Sequence, residues 1–91
     1  MQGRLADAKM YYVYVLKSEE SRLYVGRTAD LKRRLTEHKS GKVWTTKRMG
    51  KLTLIFYEAF RDEGDSYRRE RYFKTSKGKN SLRQIIRESL K

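Results

Sequence analysis

Side chains with chemistry to offer are unevenly spread along this chain of 91 residues. Tyr11, Tyr12, Tyr14 and Tyr24 crowd the stretch YYVYVLKSEESRLYVGRT, residues 11–28, and each phenol can donate a hydrogen bond, accept one and, once ionised, act as a base. A single histidine, His38, follows. There is no cysteine, so neither a disulfide framework nor a thiolate metal site can form, and one imidazole excludes a zinc centre built from several. Any metal used by this chain should be a hard ion held by oxygen. Lys and Arg number 23 against 11 Asp and Glu, a net charge of +12. In a small domain such an excess suits a polyanion, with nucleic acid the first candidate and an anionic membrane surface the second.

These groups need a frame to position them. A chain this short makes one domain with a modest core. No apolar run approaches the ~20 residues needed to span a bilayer, and the N-terminus lacks the layout of a signal peptide. The chain therefore reads as soluble and cytoplasmic. The opening MQGRLADAK, residues 1–9, shows no periodicity and reads as a loose leader, which leaves residues 10–91 as the domain.

Aromatic and β-branched residues dominate Met10 to Leu16 and Arg22 to Gly26, and the polar KSEES between them predicts a β-hairpin. Period two sends Tyr12, Tyr14 and Leu16 to one face and Tyr11, Val13 and Val15 to the other; the valines are expected in the core. In TADLKRRLTEHKSG a cap at Thr28 or Asp30, a Leu31 and Leu35 stripe and a stop at Gly41 predict a short amphipathic helix. KLTLIFYEAF is apolar enough for a strand covered on both faces. SYRRERYFKTSK is expected to be helical and to end at Gly78, with a last helix capped by Asn80 or Ser81 and striped by Leu82, Ile85, Ile86 and Leu90. The order is ββαβαα: an α+β domain with a three-stranded antiparallel sheet flanked by helices.

Within this frame Tyr12-Val13-Tyr14, then Tyr24-Val25-Gly26, then Arg34 eight residues beyond Gly26, and Glu70 on a later helix resemble the GIY-YIG nuclease superfamily, in particular its small standalone members. The resemblance covers roughly residues 10–90. A lone YVG is weak, because such residues crowd any strand; four elements in order and on the right element types are specific. Tyr12 stands where the family name has its glycine.

What the resemblance implies is metal-assisted hydrolysis of a phosphodiester, with DNA the expected substrate; because the sequence offers no recognition helix or added specificity domain, cutting is expected to be directed by the structure of the DNA rather than its sequence. Arg34 would stabilise charge on the reacting phosphate, as a permanently charged planar fork is suited to do. By composition alone it is one more solvated arginine beside Arg33. Glu70 would be the only protein ligand of a Mg²⁺ or Mn²⁺ ion; without the resemblance, neutralisation of Arg68, Arg69, Arg71 or Lys74 would be the better reading. Tyr14 and Tyr24 are expected on one side of the hairpin. A cationic surround would lower a phenol toward a useful pKa, so that one of the two takes a proton from water. His38 matches a histidine found in some members and is a further candidate base. Arg27 follows the glycine where members often carry lysine or a small polar residue, and a guanidinium cannot accept a proton. Asn80 matches a late asparagine of the family but is read as a helix cap.

DNA contact is expected from the basic loop GKVWTTKRMGK, through Lys42, Lys47, Arg48 and Lys51, together with Arg27 and Lys74. Trp44 either stacks on an unpaired base or plugs the edge of the core, the plug being preferred. Two rival classes are a catalytically silent nucleic-acid-binding module of the same fold and a basic membrane or scaffold protein.

Overall fold

A computed structural model of the protein describes residues 8–91; most of the expected leader lies outside them. The elements are β1 (Tyr11–Ser18), β2 (Leu23–Thr28), α1 (Leu31–Lys39), β3 (Leu52–Phe60), α2 (Glu63–Phe73) and α3 (Ser76–Ile85). This is the expected ββαβαα order. The sheet is antiparallel with strand order β2-β1-β3. No helix among the described residues is long and apolar enough to cross a membrane.

Placing β1 in the middle decides where burial falls. Val13, Tyr14, Val15 and Leu16 are all essentially inaccessible, because β1 is paired along both edges and covered on both faces. The expectation that KLTLIFYEAF would be the doubly covered strand is corrected: β3 is an edge strand with Thr53, Tyr57 and Ala59 exposed. Val13 and Val15 pack with Phe73, Leu82 and Ile86 in the apolar core, as period two required. A fork from Arg69 to Glu58, with bonds of 2.8 and 3.1 Å, ties α2 to β3.

Helix α1 starts at Asp30, whose carboxylate accepts from the Arg33 amide at 3.1 Å. It gives way at Ser40 to Gly41, which takes φ 73.

The later helices begin earlier than their patterns implied. Asp62 caps α2 by accepting from the Gly64 amide at 2.7 Å, so the RDEGD stretch supplies its first turn. Gly78 does not end a helix. Thr75 caps α3 by accepting from the Gly78 amide at 3.0 Å, and Asn80 and Ser81 lie inside that helix. The physical reason for the glycine is close approach: a Cβ on Gly78 would collide with the Tyr72 carbonyl, where α3 turns back on the end of α2. Ile85, expected in the apolar stripe, is about half exposed.

Candidate active site

Strand register builds the site. Tyr14 lies opposite Gly26, and Leu16 lies opposite Tyr24, so both phenols emerge on the face of the sheet that α1 covers. Gly26 is there for space. A Cβ in its place would collide with the Tyr14 hydroxyl and stand 2.9 Å from Cε2 of Tyr24, which is why the YVG triplet ends in glycine.

From α1, His38 reaches down to this floor and is buried, not on the helix surface. Its Nε2 is 2.7 Å from the Tyr14 hydroxyl and its Nδ1 is 2.6 Å from the Thr46 hydroxyl. The Tyr24 ring packs edge-on against the imidazole with centroids 5.2 Å apart. Burial and the Arg34 charge hold His38 below its ordinary value, so the ring is neutral at pH 7. A neutral imidazole has one donor and one acceptor. The ring nitrogen that carries the proton donates to its hydroxyl, and the other nitrogen accepts from its own. Sequence gave no sign of Thr46, a loop threonine whose side chain is almost fully buried.

Tyr14 departs from the expected chemistry. Burial pushes its phenol up to about 12 despite the pull of the Arg34 guanidinium, so desolvation outweighs the cationic surround. It stays protonated at neutral pH and has no exposed surface. Tyr24 is only half-buried and is the phenol that solvent can reach. Arg34 is held charged, chiefly by its hydrogen bonding with Tyr14 and then with Glu37. Its Nη1 lies 3.0 Å from Glu37, a carboxylate that Arg33 also meets at 3.4 Å from a side chain 76% exposed.

Glu70 is half-buried on α2 and accepts from Lys74 at 3.0 Å. Lys74 in turn lines a cleft with Tyr24, Leu23 and Lys79, which sets this end of α2 beside the Tyr24 strand. Among the described residues no three His, Cys, Asp or Glu side chains converge. A lone half-buried carboxylate is a donor suited to a hard ion that keeps most of its water.

The expected DNA contacts divide. Lys42, Lys47, Arg48 and Lys51 are exposed, and none takes part in an ion pair among the described residues. Arg27 is instead folded onto α2, its guanidinium 3.8 Å above the Tyr67 ring and 3.5 Å from Glu63. One edge of it still lines a shallow cleft with Arg33 and Arg34. The preferred role for Trp44 is corrected. Its ring is 78% exposed, because Val43 and Thr46 take the inward positions of the same turn.

Comparison with known proteins follows the same lines. Residues 10–83 match the family described as the GIY-YIG catalytic domain. The chain belongs to the GIY-YIG family. Among its relatives, a UPF0213 protein from Clostridium perfringens is 32% identical over 83 residues, covering 90% of this chain and 89% of that one. A UPF0213 protein from Streptococcus agalactiae serotype V is 40% identical over 65 residues, covering 69% and 73%. The solution NMR structure of a UPF0213 protein from Bacillus halodurans superimposes with a TM-score of 0.54 at 30% identity, covering 84% of each chain.

Proposed function

We propose that this GIY-YIG protein is a divalent-metal-dependent endonuclease that hydrolyses DNA phosphodiester bonds and is directed by DNA structure rather than by sequence. The observation that carries the reading is the convergence of Tyr14, Tyr24, Arg34 and His38 over the Gly26 floor, with a hydrogen-bonded Tyr14–His38–Thr46 chain behind it. A surface arginine and a strand tyrosine need no such backing; groups that act on a substrate do.

Arg34 directs its fork at the non-bridging oxygens of the phosphate, where charge gathers as the water oxygen attacks. Tyr24, the phenol open to solvent, orients that water. Tyr14 remains protonated and, with neutral His38, forms the fixed floor against which Tyr24 packs, while the proton of the attacking water leaves to solvent. Glu70 would hold a Mg²⁺ or Mn²⁺ ion, which when bound supplies a Lewis acid for the leaving oxygen. Lys74 competes for the Glu70 carboxylate, and that pair is the one feature favouring the silent binding module instead.

Plasmid and branched DNA incubated with Mg²⁺, Mn²⁺ or chelator, beside Glu70→Ala, separates the two. The expected result is metal-dependent cutting by the unaltered protein and none by the variant, with DNA affinity nearly kept because one paired surface carboxylate contributes little to binding or stability. Full activity in Glu70→Ala would remove the metal assignment. An unaltered protein inert on every substrate would leave the silent module.

A further inference from the structure

The loop between α1 and β3 carries a feature that hydrolysis does not use. Gly41 and Gly50, at φ 73 and 74, mark off a segment that leaves α1 and returns to β3. Within it successive turns are closed by backbone bonds, from the Thr46 amide to the Val43 carbonyl at 3.2 Å and from the Met49 amide to the Thr46 carbonyl at 3.0 Å. Val43 and Thr46 are buried, and the Thr46 hydroxyl is bonded to His38. A large aromatic ring is thus held out in water on a turn fastened to the site.

We propose that Trp44 is a stacking platform for an unpaired nucleobase of the nucleic acid bound at the neighbouring site. This rests on the DNA reading above and narrows it to substrates with a single-stranded or frayed segment. An indole that is 78% exposed gives up apolar surface to water that a planar partner would cover. Lys42, Lys47, Arg48 and Lys51 flank it along the loop, are exposed, and have no carboxylate partner among the described residues. An aromatic face with cations around it matches the two parts of a nucleotide, a base and its phosphate. The base must be unpaired, because bases within a duplex already cover both of their faces. Anchoring of the turn means that little order is lost on stacking. An anionic membrane fits less well: interfacial binding needs an apolar face, and Trp44 has no exposed apolar neighbour on its turn, Val43 being buried.

Trp44 is the sole tryptophan, so emission excited where tyrosine does not absorb reports on this ring alone. Titration in chelator, where nothing is cut, should show emission quenched in step with binding of a single-stranded oligonucleotide followed by anisotropy. Blunt duplex should bind with little quenching, and phosphatidylserine vesicles should leave the emission unshifted. Trp44→Ala should weaken single-strand binding roughly 10-fold, stacking contributing ~1–3 kcal/mol per base, while Trp44→Phe keeps most of the affinity. Single-strand binding without quenching, equal affinity in Trp44→Ala, or a blue shift on vesicles alone would overturn the proposal. Intact quenching by a protein that never cuts would overturn the nuclease reading and leave this one standing.

Discussion

The two faces of β1 are built on different terms. On one, Val13 and Val15 meet Phe73, Leu82 and Ile86, an apolar contact whose stability comes from area removed from water. On the other, Tyr14 is just as buried, yet it meets an imidazole, and its hydroxyl, both ring nitrogens and the Thr46 hydroxyl are joined in one chain of hydrogen bonds. Adjacent residues of a single strand thus serve opposite purposes. The apolar face can trade one hydrocarbon for another of similar volume, whereas the polar face is committed to particular atoms, since a buried group that loses its partner bears the full cost of desolvation. Stability and chemistry should therefore separate across this strand.

The strongest challenge to that separation is Phe73→Ala. Truncating a fully buried aromatic should cost about 3–5 kcal/mol, a large share of the ~5–15 kcal/mol that holds a domain together. Urea titration should show the lowered midpoint, while cleavage per folded molecule stays near normal. A variant folded as stably as the parent but unable to cut would mean that the two faces are not independent.

Arg34→Lys should do the reverse. It keeps the charge but replaces a planar fork by a compact ammonium, and loss of a directed donor should slow single-turnover cleavage by ~10²-fold or more with the urea midpoint little changed. Arg33→Lys, at a side chain 76% exposed, is the matched control and should cut at the parent rate. Equal rates in both variants would reduce Arg34 to part of the basic surface.

The smallest effect sharpens the polar side of the contrast. His38 titrates below 6.5 in the fold because burial and Arg34 oppose its charge. The unfolded chain therefore takes up the proton first as pH falls. Stability from the neutral ring is fully present above about 6.5 and is lost as pH drops toward the lower folded value. Urea midpoints should fall between pH 7 and 5, and His38→Gln should flatten that slope. Glu37, lowered chiefly by Arg34, acts in the same sense but only below the ordinary carboxylate value of 4.5. An unchanged slope in His38→Gln would mean that the ring is not the group resisting protonation.

What could be read in the residues alone was whatever depends on near neighbours. Alternation assigned Val13 and Val15 to one face and Tyr14 to the other, the Leu31 and Leu35 spacing marked α1, and the YVG triplet ten residues after Tyr14 pointed to the site. Each is a pattern within one element or across one short hairpin, where backbone geometry leaves few choices. Contacts between distant parts of the chain decided the rest. His38 meets Tyr14 across 24 residues, and Arg27 meets Tyr67 across 40; before folding, nothing local distinguishes either side chain from a solvated one. The same holds for Gly78, which reads as a helix stop but lies where α3 crosses the end of α2, and for Trp44, turned outward because Val43 and Thr46 occupy the inner positions. A phenol's charge state likewise follows from how much water surrounds it, so Tyr14 became a protonated, buried partner of His38 only when the sheet and α1 closed over it.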